Sequence, residues 1–189
     1  MLDEHIKKLI DEFVGILLET YCDNKPILDV EIFVKKIGGT VNREYSDMSF
    51  INDGYIRKLK NDPYQFEIKI PDYRDIYHRN LLLAKYLGHL FLHMGYLCND
   101  KLWEQQCPLN RQKWNDTKCN IGYLFPERAE EEALYFARVL LLPEHLFLTY
   151  YKKYLDGNRL NTKMMADELN LSIEFVANRG VELGLLKNF

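Results

Sequence analysis

The stretch that most narrows what this chain can fold into is Leu81-Leu82-Leu83-Ala84-Lys85-Tyr86-Leu87-Gly88-His89-Leu90-Phe91-Leu92-His93. Its spacing predicts the central helix of the molecule, running from about Asp75 to Met94, with His89 and His93 four residues apart on one face. Further along, Glu130-Glu131-Glu132-Ala133-Leu134-Tyr135-Phe136-Ala137 predicts an acidic helix. Ala133, Phe136, Ala137 and Leu140 form its buried face, which Glu130 extends toward the N-terminus while Glu131 and Glu132 face solvent.

A helix of the form H-E-x-x-H offers two imidazoles, four residues apart, to one zinc ion. The glutamate between them takes the proton from the metal-bound water, and a carboxylate from another helix closes the site. The corresponding five positions here read Lys85-Tyr86-Leu87-Gly88-His89, so only the second histidine is present.

The flanking residues extend the comparison. Leu83, Ala84, Leu87, Gly88, His89, Leu90, Leu92 and His93 are in register with the active-site helix R-F-T-L-A-H-E-L-G-H-L-L-L-H of the ImmA/IrrE family of metallopeptidases. The segment Glu130 to Pro143 resembles the acidic helix E-x-E-A-N-x-F-A-x-x-L-L-M-P that follows it in that family. Pro26 to Val41 is similar to the family's opening segment, and Met165 to Leu186 to the helical pair that often ends it. The resemblance implies an α+β fold: a zincin-like core, in which a small twisted sheet packs on an active-site-type helix, followed by a C-terminal helical pair. It also implies a partner class, because active members are associated with cleaving or inactivating helix-turn-helix repressors in mobile elements and stress responses.

Two substitutions bear on the chemistry. Lys85 stands at the first ligand position, where an ammonium repels a divalent cation. Tyr86 stands at the general-base position, and a phenol with a reference pKa near 10 does not readily accept a proton from water at neutral pH. Ordinary zinc-dependent proteolysis is therefore not expected, and neither is a cofactor. The expectation is that Lys85 takes the metal's place, pairing with Glu130 and hydrogen-bonding His89. Two alternatives stand beside this one: an active metallopeptidase whose zinc is held in a rearranged site by His89, His93 and Glu130, and a DNA-binding protein acting through residues 159 to 186. Few donors support the last, namely Arg179, Asn178 and Lys187, and Glu174 and Glu182 repel phosphate.

The remaining elements read as scaffold. Leu2 to Tyr21 is an amphipathic helix, and Asp29 caps a short second one that ends at Gly38-Gly39. Thr40 to Tyr45 is a strand, and the Asp53-Gly54 and Asn61-Asp62-Pro63 groups mark turns. Tyr64, Phe66, Ile68 and Ile70 alternate with polar residues, as in a half-buried strand. In a zincin-like architecture Tyr64, Phe66 and Ile68 would border the cleft and bind extended peptide at a sheet edge, although the pattern alone fits an ordinary strand better. Tyr96 to Phe125 reads as an enlarged loop or hairpin in which Trp103 and Trp114 pin the segment to the body. Ser172 caps the last helix. Asp156-Gly157-Asn158 divides residues 1–155, the core, from the helix-turn-helix-like extension 156–189.

With 189 residues, 47% hydrophobic and 28% charged, the chain can bury a sizeable core. Its net charge of −3 provides no general attraction to nucleic acid or membranes, so a protein or peptide is the expected partner. The acidic start Met1-Leu2-Asp3-Glu4-His5 lacks a signal-peptide pattern, so a cytoplasmic location is expected, with Cys22, Cys98, Cys107 and Cys119 as free thiols. His5, His78 and His145 read as surface or locally satisfied histidines.

Overall fold

The computed structural model describes residues 2–44, 54–59, 65–72, 75–105, 126–157 and 159–187. Tyr64, Trp114, Cys107 and Cys119 lie outside them. The fold is α+β, and among the described residues it comprises eight α-helices, a mixed three-stranded sheet and a short hairpin. No helix among these residues is long and apolar enough to cross a membrane.

Helix α1 (Glu4–Cys22) buries Ile10, Val14, Leu17 and Leu18, and Asp23 closes it in the left-handed conformation. Helix α2 (Val30–Lys36) starts where the Asp29 carboxylate accepts from the Glu31 N–H at 2.9 Å, as the sequence predicts. Gly38, at φ 91°, turns the chain into strand β1 (Gly39–Glu44). Strand β2 (Tyr55–Lys58) follows Gly54, a position where the sequence predicts only a turn.

Strand β3 (Phe66–Pro71) lies at the centre of the sheet, parallel to β1 and antiparallel to β2. This corrects the expectation for Phe66 and Ile68. Both are 0% exposed, and both sides of β3 already pair with strands, so these residues are core and β3 has no open edge for a peptide. The strand is also more buried than its alternation implies. Glu67 is 6% exposed because Arg57 and Asn42 cover its carboxylate, with Arg57 Nε at 2.7 Å and Asn42 Nδ2 at 3.1 Å.

Helix α3 (Ile76–Gly88) is capped by Asp75 and continues into a π turn (His89–His93), in which the Met94 N–H donates to the His89 carbonyl at 3.0 Å. The segment beyond forms helix α4 (Asp100–Glu104), whose Trp103 is 3% exposed and packs edge-on against Tyr96 at 5.0 Å. Trp103 therefore pins this region to the core, as expected.

Helix α5 (Glu127–Leu141) packs against α1, α3 and the π turn. Phe13, Phe91 and Phe136 meet at this junction, with ring centroids 5.5 to 6.3 Å apart. Helix α6 (Glu144–Tyr154) follows Pro143. On either side of the expected linker, β4 (Leu155–Asp156) pairs with β5 (Arg159–Leu160). Helices α7 (Thr162–Leu169) and α8 (Ile173–Glu182) then bury Met165, Ala166, Leu169 and Val176 in the same hydrophobic cluster as the rest of the chain.

Candidate functional site

The contact between α3 and α5 depends on two small residues. A Cβ at Gly88 would lie 2.8 Å from Ala133 Cα and 2.9 Å from the Ala133 carbonyl oxygen, so only glycine permits this approach. Because the backbones are this close, side chains one turn to either side of Gly88 and Ala133 can meet.

Lys85 Nζ lies 3.2 Å from Glu130 Oε2, and His89 Nε2 lies 3.2 Å from Glu130 Oε1. The second contact is one of proximity rather than an aligned hydrogen bond. Glu130 thus stands between the ammonium and the imidazole, and Lys85 pairs with it as the sequence predicts. The expected Lys85–His89 hydrogen bond is not what satisfies the imidazole. His89 Nδ1 lies 3.0 Å from His93 Nδ1, and His93 Nε2 lies 3.1 Å from Glu132 Oε2. Arg128 Nε donates to the other Glu132 oxygen at 3.0 Å. Six side chains, Arg128, Glu132, His93, His89, Glu130 and Lys85, therefore form one continuous polar chain.

The placement of Glu132 differs from the sequence reading. Its side chain is only 19% exposed and turns in to His93, whereas Glu131 is exposed as expected. Tyr86, at the general-base position, is 3% exposed and packs in the core. Of the other histidines, His78 contacts the Asp75 carboxylate at 2.5 Å, and His5 and His145 are exposed.

His89 is 1% exposed, and burial, with the charges of His93 and Lys85 adding to it, lowers its pKa from 6.5 to about 3. It is therefore neutral at physiological pH.

His89, His93 and Glu130 do not converge on a common point. His89 meets His93 through Nδ1 and Glu130 through Nε2, and these two ring nitrogens diverge, so a single ion cannot contact all three groups. The 3.0 Å separation of the two Nδ1 atoms is also shorter than the ~3.4 Å expected between two imidazole nitrogens on a tetrahedral zinc with bonds of about 2.1 Å. Among the described residues, no group of three or more histidine, cysteine, aspartate or glutamate side chains is placed to hold a metal ion. The rearranged zinc site considered from the sequence therefore does not fit the side chains as they stand.

No protein-family model matches the chain, and comparison with curated proteins found no match.

Sequence reasoning found Lys85, His89, His93 and Glu130, but it missed Arg128 and Glu132. Both lie on the helix that supplies Glu130, four residues apart, and that spacing is the one signal in the sequence that relates them.

Proposed function

We propose that this chain is a catalytically degenerate, ImmA/IrrE-type metallopeptidase-like protein with a zincin-like core. It acts in transcription regulation as a binding module, engaging a helix-turn-helix repressor without cleaving it. The observation that carries this reading is the 3.2 Å pair between Lys85 and Glu130. At the position where the resemblance calls for a metal ligand, the chain has a fixed cation, and that cation is already neutralised by the carboxylate that would close a metal site. The burial of Tyr86 supports the same reading, since a core phenol is neither exposed to water nor basic enough to activate it.

The test has two parts. Protein purified without added zinc or chelator is expected to contain no stoichiometric metal by elemental analysis and native mass spectrometry. Lys85→His combined with Tyr86→Glu is expected to gain about one zinc per chain, because the Glu130 helix is already in place. Mixed with a helix-turn-helix repressor, the wild-type chain is expected to form a complex and leave the repressor intact. Chelator-sensitive cleavage of the repressor would overturn the proposal.

A further inference from the structure

Helices α1, α5, α6 and α8 border a cavity of about 340 Å³ that is open to solvent on the side of Asp11 and Gly15, and none of the residues of the Lys85 chain line it. This volume lies in the range that accommodates small organic ligands. The wall carries charges of both signs on an otherwise largely apolar surface.

The positive side is Arg179, which is 3% exposed. Its Nε donates to the Leu142 carbonyl at 3.0 Å and its Nη1 to Glu182 at 2.8 Å, leaving Nη2 without an acceptor among the described residues. Residues Pro143 to His145, the start of α6, line the same cavity, and no side chain caps that helix. A buried guanidinium with donors to spare, next to an uncapped helix N-terminus, favours a carboxylate.

The negative side is Asp11, whose two oxygens lie 3.1 and 3.2 Å from the Tyr135 hydroxyl. Burial raises the Asp11 pKa, and the Glu182 and Glu144 carboxylates push it the same way against the Tyr135 and Arg179 contacts that lower it. An ammonium at this point relieves that repulsion. Tyr135, its own pKa pushed by burial up to about 12, remains a hydrogen-bond donor throughout the physiological range. Gly15, inside α1, contributes the open space: nothing lies within 4 Å of where its Cβ would be.

We propose that this cavity binds a free α-amino acid, with the carboxylate held by Arg179 Nη2 and the first turn of α6 and the ammonium held by Asp11. The proposal does not depend on the metallopeptidase resemblance.

The test is thermal melting and calorimetry of the full chain with each of the twenty common α-amino acids, and with acetate and methylamine as half-ligands. At about ten times its dissociation constant, at least one amino acid is expected to raise Tm by roughly 3 °C or more, and each half-ligand to bind at least tenfold more weakly. Gly15→Leu, which fills the space without touching a charge, and Asp11→Asn, at an exposed position, are each expected to weaken binding at least tenfold while the chain still melts cooperatively. The proposal is overturned if no amino acid shifts the melt, if acetate or methylamine alone binds as tightly, or if Gly15→Leu leaves the affinity unchanged.

Discussion

His89 links the candidate site to the stability of the whole protein. In the unfolded chain its imidazole takes up a proton near pH 6.5, whereas in the fold burial delays this to about pH 3. Between these values the unfolded state binds more protons than the native state, so stability rises with pH. The His89 contribution is complete above about pH 6.5 and is lost progressively as pH falls toward 3. Linkage predicts that about 2 kcal/mol of stability disappears between pH 7 and pH 5 on account of this one residue. Urea midpoints measured across that range are expected to fall less steeply for His89→Gln than for the wild type, and parallel slopes would remove His89 as the cause. At this scale the sequence is partly legible. The lysine at a ligand position and the glutamate on the buried phase of α5 can both be read from local spacing. The inward turn of Glu132 cannot, because phase along one helix does not reveal that His93 stands on another within 3.1 Å.

The contact that determines the site at the scale of elements is the crossing of α3 and α5 at Gly88 and Ala133. Gly88→Ala adds helix propensity worth about 0.5–1 kcal/mol, but it also places a methyl 2.8 Å from Ala133 Cα, and overpacking of this kind costs about 1–3 kcal/mol. The clash is with backbone, which cannot yield by rotating a side chain, so the cost wins. The expected result is a Tm lower by about 3–6 °C, with Lys85 no longer within ion-pair reach of Glu130. Calorimetry checks the first outcome and a structure of the variant the second. An unchanged or raised Tm would mean that the two helices separate freely. The small residues Gly88 and Ala133 are plain in the sequence, but their meeting is not. The π turn at His89–His93 is likewise absent from the pattern, since one longer hydrogen-bonded loop leaves the apolar periodicity almost unchanged.

In the whole molecule, the C-terminal helices share the core of the preceding chain. Met165, Leu169, Leu171 and Val176 are each at most 3% exposed within a single hydrophobic cluster, and Arg179 donates to the Leu142 carbonyl. Burying four side chains of this size contributes on the order of 6 kcal/mol or more, comparable to the net stability of a typical domain. A chain ending at residue 157 is therefore expected to show no cooperative thermal transition, whereas the full chain melts in one step. If the shortened chain melts at the full-length temperature, α7 and α8 are an independent appendage. The same burial argues against a DNA-reading role for Arg179, which is 3% exposed and so cannot reach a duplex. The sequence by itself determined the helices, their caps and the apolar faces they bury, because propensity, capping and periodicity act over a few residues. Only the tertiary structure decided that β3 is central, that the tail joins the core and that six charged and polar side chains line up between α3 and α5. Those outcomes depend on which distant surfaces come into contact, and local spacing carries no information about that.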